Sequence, residues 1–135
     1  MTAEVLRTIL GAAHTVAVVG LSPKPERPSN LVARYLREVG YRIVPVNPGH
    51  ATVLGERSYP TLGAAAREHA IDIVDVFRRS EVAGAVVDEA VPLRPRLIWL
   101  QRGVVDQAAQ ERAGAAGIPF VMDRCLMVDH QAVKA

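Results

Sequence analysis

Residues 15–20, TVAVVG, form an apolar, largely β-branched run with no polar alternation. A strand with one face in water alternates polar and apolar residues, so an unbroken run predicts a strand buried on both faces. Such a strand needs a layer of helices above and below it, and few folds supply that. Similar runs recur at 41–47 (YRIVPVN), 71–77 (IDIVDVF), 96–101 (RLIWLQ) and 118–123 (IPFVMD).

The segments between them read as helices. Val5, Leu6, Ile9 and Leu10 share one face of a helix over 3–13. SNLVARYLREVG starts at Pro28 or Ser29, buries Leu31, Val32, Tyr35, Leu36 and Val39, and stops at Gly40. SEVAGAVVDEAV begins at Ser80, a suitable N-cap, and VDQAAQERAGAAG is a further helix. Between Val53 and Ala70 the pattern predicts a short extended piece, a turn at Gly55 and a helix from near Thr61. The tail from Arg124 predicts a short helix with a frayed end. Strand and helix alternate with short connections, which predicts an α/β, Rossmann-like, doubly wound and mainly parallel five-stranded sheet with helices on both faces. At 135 residues, one domain spanning 1–135 is expected.

The remaining bulk properties narrow the function classes. Aromatic residues make up only 4%, so Val, Leu, Ile and Ala must build the core. Sixteen basic against fourteen acidic residues give a net charge of +2, with no basic stripe of the kind nucleic acid selects. The N-terminus lacks the pattern of a signal peptide, and no apolar run approaches the roughly 20 residues a membrane span requires. One cysteine excludes an internal disulfide, and the cytoplasm is the expected compartment.

In an open parallel sheet, ligands bind beyond the carboxyl ends of the strands. The residues there include Lys24, Arg27, Arg78, Arg79, Arg102 and Arg124, a basic collection that predicts an anionic ligand. The helix after the first loop adds free backbone N–H groups, with Ser29 and Asn30 as further donors. The loop SPKPERPS departs from G-x-G-x-x-G: Ser22 replaces the second glycine, and Asn47 stands where a dinucleotide site wants an acid. No P-loop motif is present either. No pair of His or Cys has metal-ligand spacing, and His14, His69 and His130 read as structural or surface groups, while His50 lies where it could touch a ligand. Cys125 follows the last strand beside Arg124 and reads as a small half-buried residue at the rim.

These motifs, in order, resemble the small stand-alone CoA-binding proteins. They are VAVVGLSPKPERPSNLVARYLREVGYRIVPVNPG, YPTLGAA, IDIVDVFRRSEV, LIWLQRGV and GIPFVMDRCLMVDH. That family is similar to the CoA-binding domain of the succinyl-CoA synthetase alpha subunit and of ADP-forming acyl-CoA synthetases. The resemblance covers about residues 10–130 and implies binding of coenzyme A or acyl-CoA across the carboxyl edge. It implies that Gly20, Ser22, Pro23, Lys24, Arg27, Ser29 and Asn30 surround the phosphates. It further implies that Val46, Asn47 and Pro48 line the nucleotide pocket, and that Phe77, Arg78 and Arg79 flank adenine or a phosphate. Trp99, Gln101 and Cys125 would border the pantetheine arm.

The ligase reaction does not carry over, because no histidine here sits in a motif matching the synthetase phosphohistidine and its second domain has no counterpart in this length. The expectation is a non-catalytic carrier, sensor or regulatory module. A small NAD(P)-dependent oxidoreductase, with Arg42 or Arg78 meeting a 2′-phosphate, is the alternative, and a mixed disulfide between Cys125 and CoA would be a side reaction. An exposed Trp99 or the apolar first helix would suit a homodimer, and a protein partner could supply a second domain in trans.

Overall fold

The computed structural model describes residues 1–134. Its first helix, α1 (Ala3–Ala12), leads into β1 (Thr15–Val19), α2 (Pro28–Glu38) and β2 (Arg42–Val46). A two-stranded hairpin, β3 (Thr52–Val53) and β4 (Glu56–Arg57), precedes α3 (Leu62–Ala66). Then come β5 (Ile73–Val76), α4 (Ser80–Ala90), a 3₁₀ turn (Val91–Leu93), β6 (Leu97–Leu100), α5 (Gln107–Ala115), β7 (Phe120–Val121) and α6 (Leu126–Val133). The frayed end expected after the tail helix reaches Ala135, which lies outside the described residues.

The main sheet is five-stranded and parallel, in the order β2-β1-β5-β6-β7. The chain runs outward from β1 to β2, then returns to the other side of β1 as β5. Strand order therefore reverses between β1 and β5, and a crevice opens above their carboxyl ends. The alternating side chains of each strand feed two cores. Val16, Val18, Ile73, Leu97 and Trp99 pack under α1, α2 and α6, while Ala17, Val19, Val74, Val76, Ile98 and Leu100 pack under α3, α4 and α5. This is the doubly wound α/β architecture expected from the unbroken apolar runs.

Several local expectations need correction. The extended piece near Gly55 is a complete hairpin, with Leu54 and Gly55 both at positive φ in its turn. Ser80 is not the N-cap of α4 but its first residue; Arg79 holds the cap position. The Ser80 hydroxyl instead accepts from the Val105 N–H and donates to the Gly103 carbonyl, tying α4 to the loop after β6. Val5 of α1, expected on the buried face, is exposed, while Leu6 and Leu10 pack into the protein's own core. His69 is bonded to the Tyr59 hydroxyl, and His130 Nδ1 lies 2.6 Å from the Tyr35 hydroxyl, joining α6 to α2.

Asp72 clamps the amino-terminal edge of the sheet. Its Oδ2 accepts the His14 and Thr15 backbone N–H groups at 2.8 and 3.0 Å, and Arg96 lies 3.4 Å from Oδ1. Burial works to raise its pKa, but the His14 and Thr15 backbone hydrogen bonds and Arg96 outweigh it and hold the carboxyl below the ordinary value. Replacing Asp72 with Ala strands both N–H donors, and we expect a loss of about 1–3 kcal/mol in urea unfolding at neutral pH.

Candidate functional site

The first loop owes its shape to proline and to its own hydrogen bonds. Pro23, Pro25 and Pro28 fix φ at three positions, and Pro28 opens α2 where its missing N–H matters least. Ser29 Oγ accepts the Ser22 N–H at 3.0 Å, and Ser22 Oγ accepts the Lys24 N–H at 3.1 Å. Asn30 Nδ2 donates to the Ser22 carbonyl, while its Oδ1 accepts from Arg34, which also reaches the Pro25 carbonyl. On the neighbouring loop, Asn47 Nδ2 donates to the Leu21 carbonyl, and its Oδ1 accepts the Gly49 N–H. A polar network thus holds the loops after β1 and β2 in place before any ligand arrives.

Gly20 sits where three strand ends converge. Its N–H donates to the Val46 carbonyl, and the Phe77 N–H donates to Val19 next to it. Its φ is +88°, and a Cβ there would stand 2.3 Å from the Phe77 carbonyl oxygen.

Above these ends lies a cleft of about 720 Å³. Ten expected site residues line it: Gly20, Ser22, Pro23, Lys24, Arg27, Ser29, Asn47, Phe77, Gln101 and Cys125. The cleft also carries His50 and Arg102, both expected at this edge, and Pro28, Val32 and Val104, to which the sequence assigns no binding role. Arg102 had the same signal as Arg78, a cation immediately after a strand. Val32 was legible only as a core residue of α2.

Lys24, Arg27 and Arg102 give the cleft three permanent cations, and no acidic residue among those described lines it. Among the described residues none of the three joins a salt bridge, unlike Arg57, Arg79, Arg96, Arg112 and Arg124. Phe77, Val32 and Val104 supply apolar wall between the charges. A concave site of this size, mostly apolar with a few convergent polar groups, suits a ligand with anionic and apolar portions.

Six expected site residues are placed elsewhere. Trp99 is fully buried beneath the sheet, its indole N–H donating to the Arg124 carbonyl, so it neither borders the cleft nor offers a dimer surface. Val46 is the last residue of β2 and is buried in the core under α3, α4 and α5, short of the cleft. Asn30 is 1% exposed, with its amide spent on the loop. Pro48 is exposed beyond the rim. Arg78 and Arg79 line a separate shallow depression with Val82 and Val86, although Phe77 borders both hollows. Arg124, one of the cations expected at this edge, has its guanidinium bonded to Asp129.

A parallel five-stranded sheet covered by helices on both faces, with a cation-lined cleft at its switch point, is a Rossmann-like α/β architecture. Residues 14–131 match the family described as CoA binding domain, and the chain belongs to that family. It is similar to protein YneT of Bacillus subtilis (strain 168), with 36% identity over 129 residues, covering 96% of this chain and 94% of that one. Among solved structures, a Thermus thermophilus protein aligns with TM-score 0.92 and 40% identity, over 99% of this chain and 100% of the other. A Pyrococcus horikoshii OT3 protein aligns with the same TM-score at 35% identity, over 98% and 92%.

Proposed function

We propose that the cleft binds coenzyme A or its thioesters, and that the protein, as one domain, acts as a carrier, sensor or regulatory module rather than as a catalyst. The observation that carries this reading is a cleft in which, among the described residues, three cations free of salt bridges converge with no acid, in a chain of the CoA binding domain family. Lys24 and Arg27, on the proline-stiffened loop, meet the pyrophosphate or the 3′-phosphate, with the Ser29 hydroxyl beside them. Because the loop is already ordered by Ser22, Ser29, Asn30 and Arg34, little conformational entropy is lost when phosphate arrives. Asn47 holds the loop that borders the nucleotide, and Phe77 and Val32 offer apolar surface to its base or to the arm.

Calorimetry on ligand-stripped protein tests the reading, with CoA, 3′-dephospho-CoA and NADP⁺ compared. CoA should bind saturably and more tightly than either comparison. Arg27→Ala should weaken CoA binding by roughly tenfold or more, as loss of a charge-assisted phosphate contact does. Binding of NADP⁺ in preference to CoA would overturn the proposal in favour of a nicotinamide-dependent enzyme.

A further inference from the structure

Gln101 follows β6, is 5% exposed and lines the cleft. The Leu126 backbone N–H, at the first residue of α6, lies 3.1 Å from its side-chain amide. An N–H can only be met by an acceptor, so that atom is Oε1 and the amide orientation is fixed. The other end of the amide is then a donor. Among the described residues Nε2 has no partner, yet only the Asp75 oxygens are fully enclosed without one. For a side chain this buried that lines the cleft, the remaining accessible direction of Nε2 is the cleft itself. The protein thus holds, on a side chain only 5% exposed, an N–H₂ group free to meet an acceptor on the ligand.

The place of this donor in the sheet limits what the acceptor is. Gln101 stands two strands from Gly20, across β5 to β6, a distance of roughly 10 Å at ordinary strand spacing. Lys24 and Arg27 belong to the loop after β1, while the companions of Gln101 at the β6 end of the cleft are Arg102 and Val104, with Cys125 beside the start of α6. A ligand whose phosphates occupy the first loop presents its sulfur end in this direction.

We propose that Gln101 Nε2 donates to the thioester carbonyl oxygen of an acylated CoA, making acyl-CoA rather than free CoA the preferred ligand. The proposal rests on the CoA reading above and adds the state of the thiol. A thioester offers a carbonyl acceptor, whereas a free thiol is only a weak one and leaves the buried N–H unpaired. Sites built to hydrogen-bond a substrate group reject analogues that lack it for this reason.

The test compares acetyl-CoA with CoA by calorimetry on the wild type and on Gln101→Glu. The glutamate keeps an oxygen for the Leu126 N–H, so α6 stays anchored, but it replaces the donor with an acceptor. Gln101→Leu removes both roles, and thermal unfolding of both variants separates loss of the anchor from loss of the donor. The wild type should prefer acetyl-CoA by roughly tenfold, the worth of one well-made buried hydrogen bond. In Gln101→Glu that ratio should fall to near one, whatever the added charge does to both ligands together. Equal affinity of the wild type for the two ligands, or a preference that survives in Gln101→Glu, overturns the inference and leaves CoA binding standing. Failure of both ligands to bind overturns the CoA reading and this inference with it.

Discussion

Gly20→Ala should lose both its stability and its ligand. The residue has φ of +88°, a region that L side chains enter at a penalty, and the added Cβ would lie 2.3 Å from the Phe77 carbonyl oxygen. That oxygen belongs to backbone, so no side-chain rotation relieves the overlap. Either β1 and β5 separate at their carboxyl ends, or the Gly20 N–H leaves the Val46 carbonyl. Both changes displace Phe77 and the start of the basic loop. We expect roughly 3 kcal/mol or more of destabilisation in urea unfolding, in the range reserved for backbone strain combined with overpacking. CoA affinity should fall with it even at temperatures where the variant remains folded. Gly11→Ala is the matched control: it lies in α1 with nothing within 4 Å of the new Cβ, and should be neutral or stabilising by up to about 1 kcal/mol.

The second large effect has the opposite sign. Asp75 occupies the central strand β5, between Val18 and Trp99 in register, and is 0% exposed. Neither carboxyl oxygen has a hydrogen-bond partner among the described residues. Burial pushes its pKa well above the ordinary value, so the folded protein retains a proton that the unfolded chain releases above about pH 4. The native state binds more protons over that window, and stability attributable to Asp75 is complete below the unfolded pKa and declines as pH rises toward the folded one. Asp72 works the other way: its lowered pKa contributes stability above its unfolded value that is lost as pH falls through the folded one.

Asp75→Val places a β-branched residue among Val18 and Trp99 and removes the unpaired group. Urea unfolding at pH 7 should show a gain of about 1–3 kcal/mol. Asp75→Asn isolates the titration, since its amide is polar but uncharged. The gap between Asp75→Asn and the wild type should widen from pH 4 to pH 8. A gap independent of pH would show that Asp75 is not a proton-holding carboxyl.

The fold was legible because both-face burial leaves an unmistakable trace: TVAVVG and RLIWLQ contain almost nothing polar. The same apolar runs concealed which face each residue serves. Depth was concealed as well: Trp99 and Gln101 lie two apart and share a face, but Trp99 is inside β6 and packed in the core, while Gln101 stands past the strand's end in the cleft. Val46 was grouped with Asn47 by adjacency, although successive residues of a strand point to opposite faces. Chemistry by residue type could not show that Asn30 and Asn47 are spent on loop geometry, or that Arg124 is paired with Asp129. Those are contacts between distant or turn-related groups with no periodic signature. Asp75 did leave a signal, an acid inside an otherwise apolar central strand, and only the absence of a partner in the folded protein gave it meaning.

Amide chemical-shift mapping during a CoA titration tests the central claim most directly, because it reports the place of binding as well as its occurrence. The account predicts saturable shifts that begin at Gly20 to Ser29, continue through Phe77 and end at Gln101 to Val104 and Cys125, with the depression at Arg79 and Val82 responding less. Shifts confined to another face, or an unchanged spectrum at saturating CoA, would contradict it.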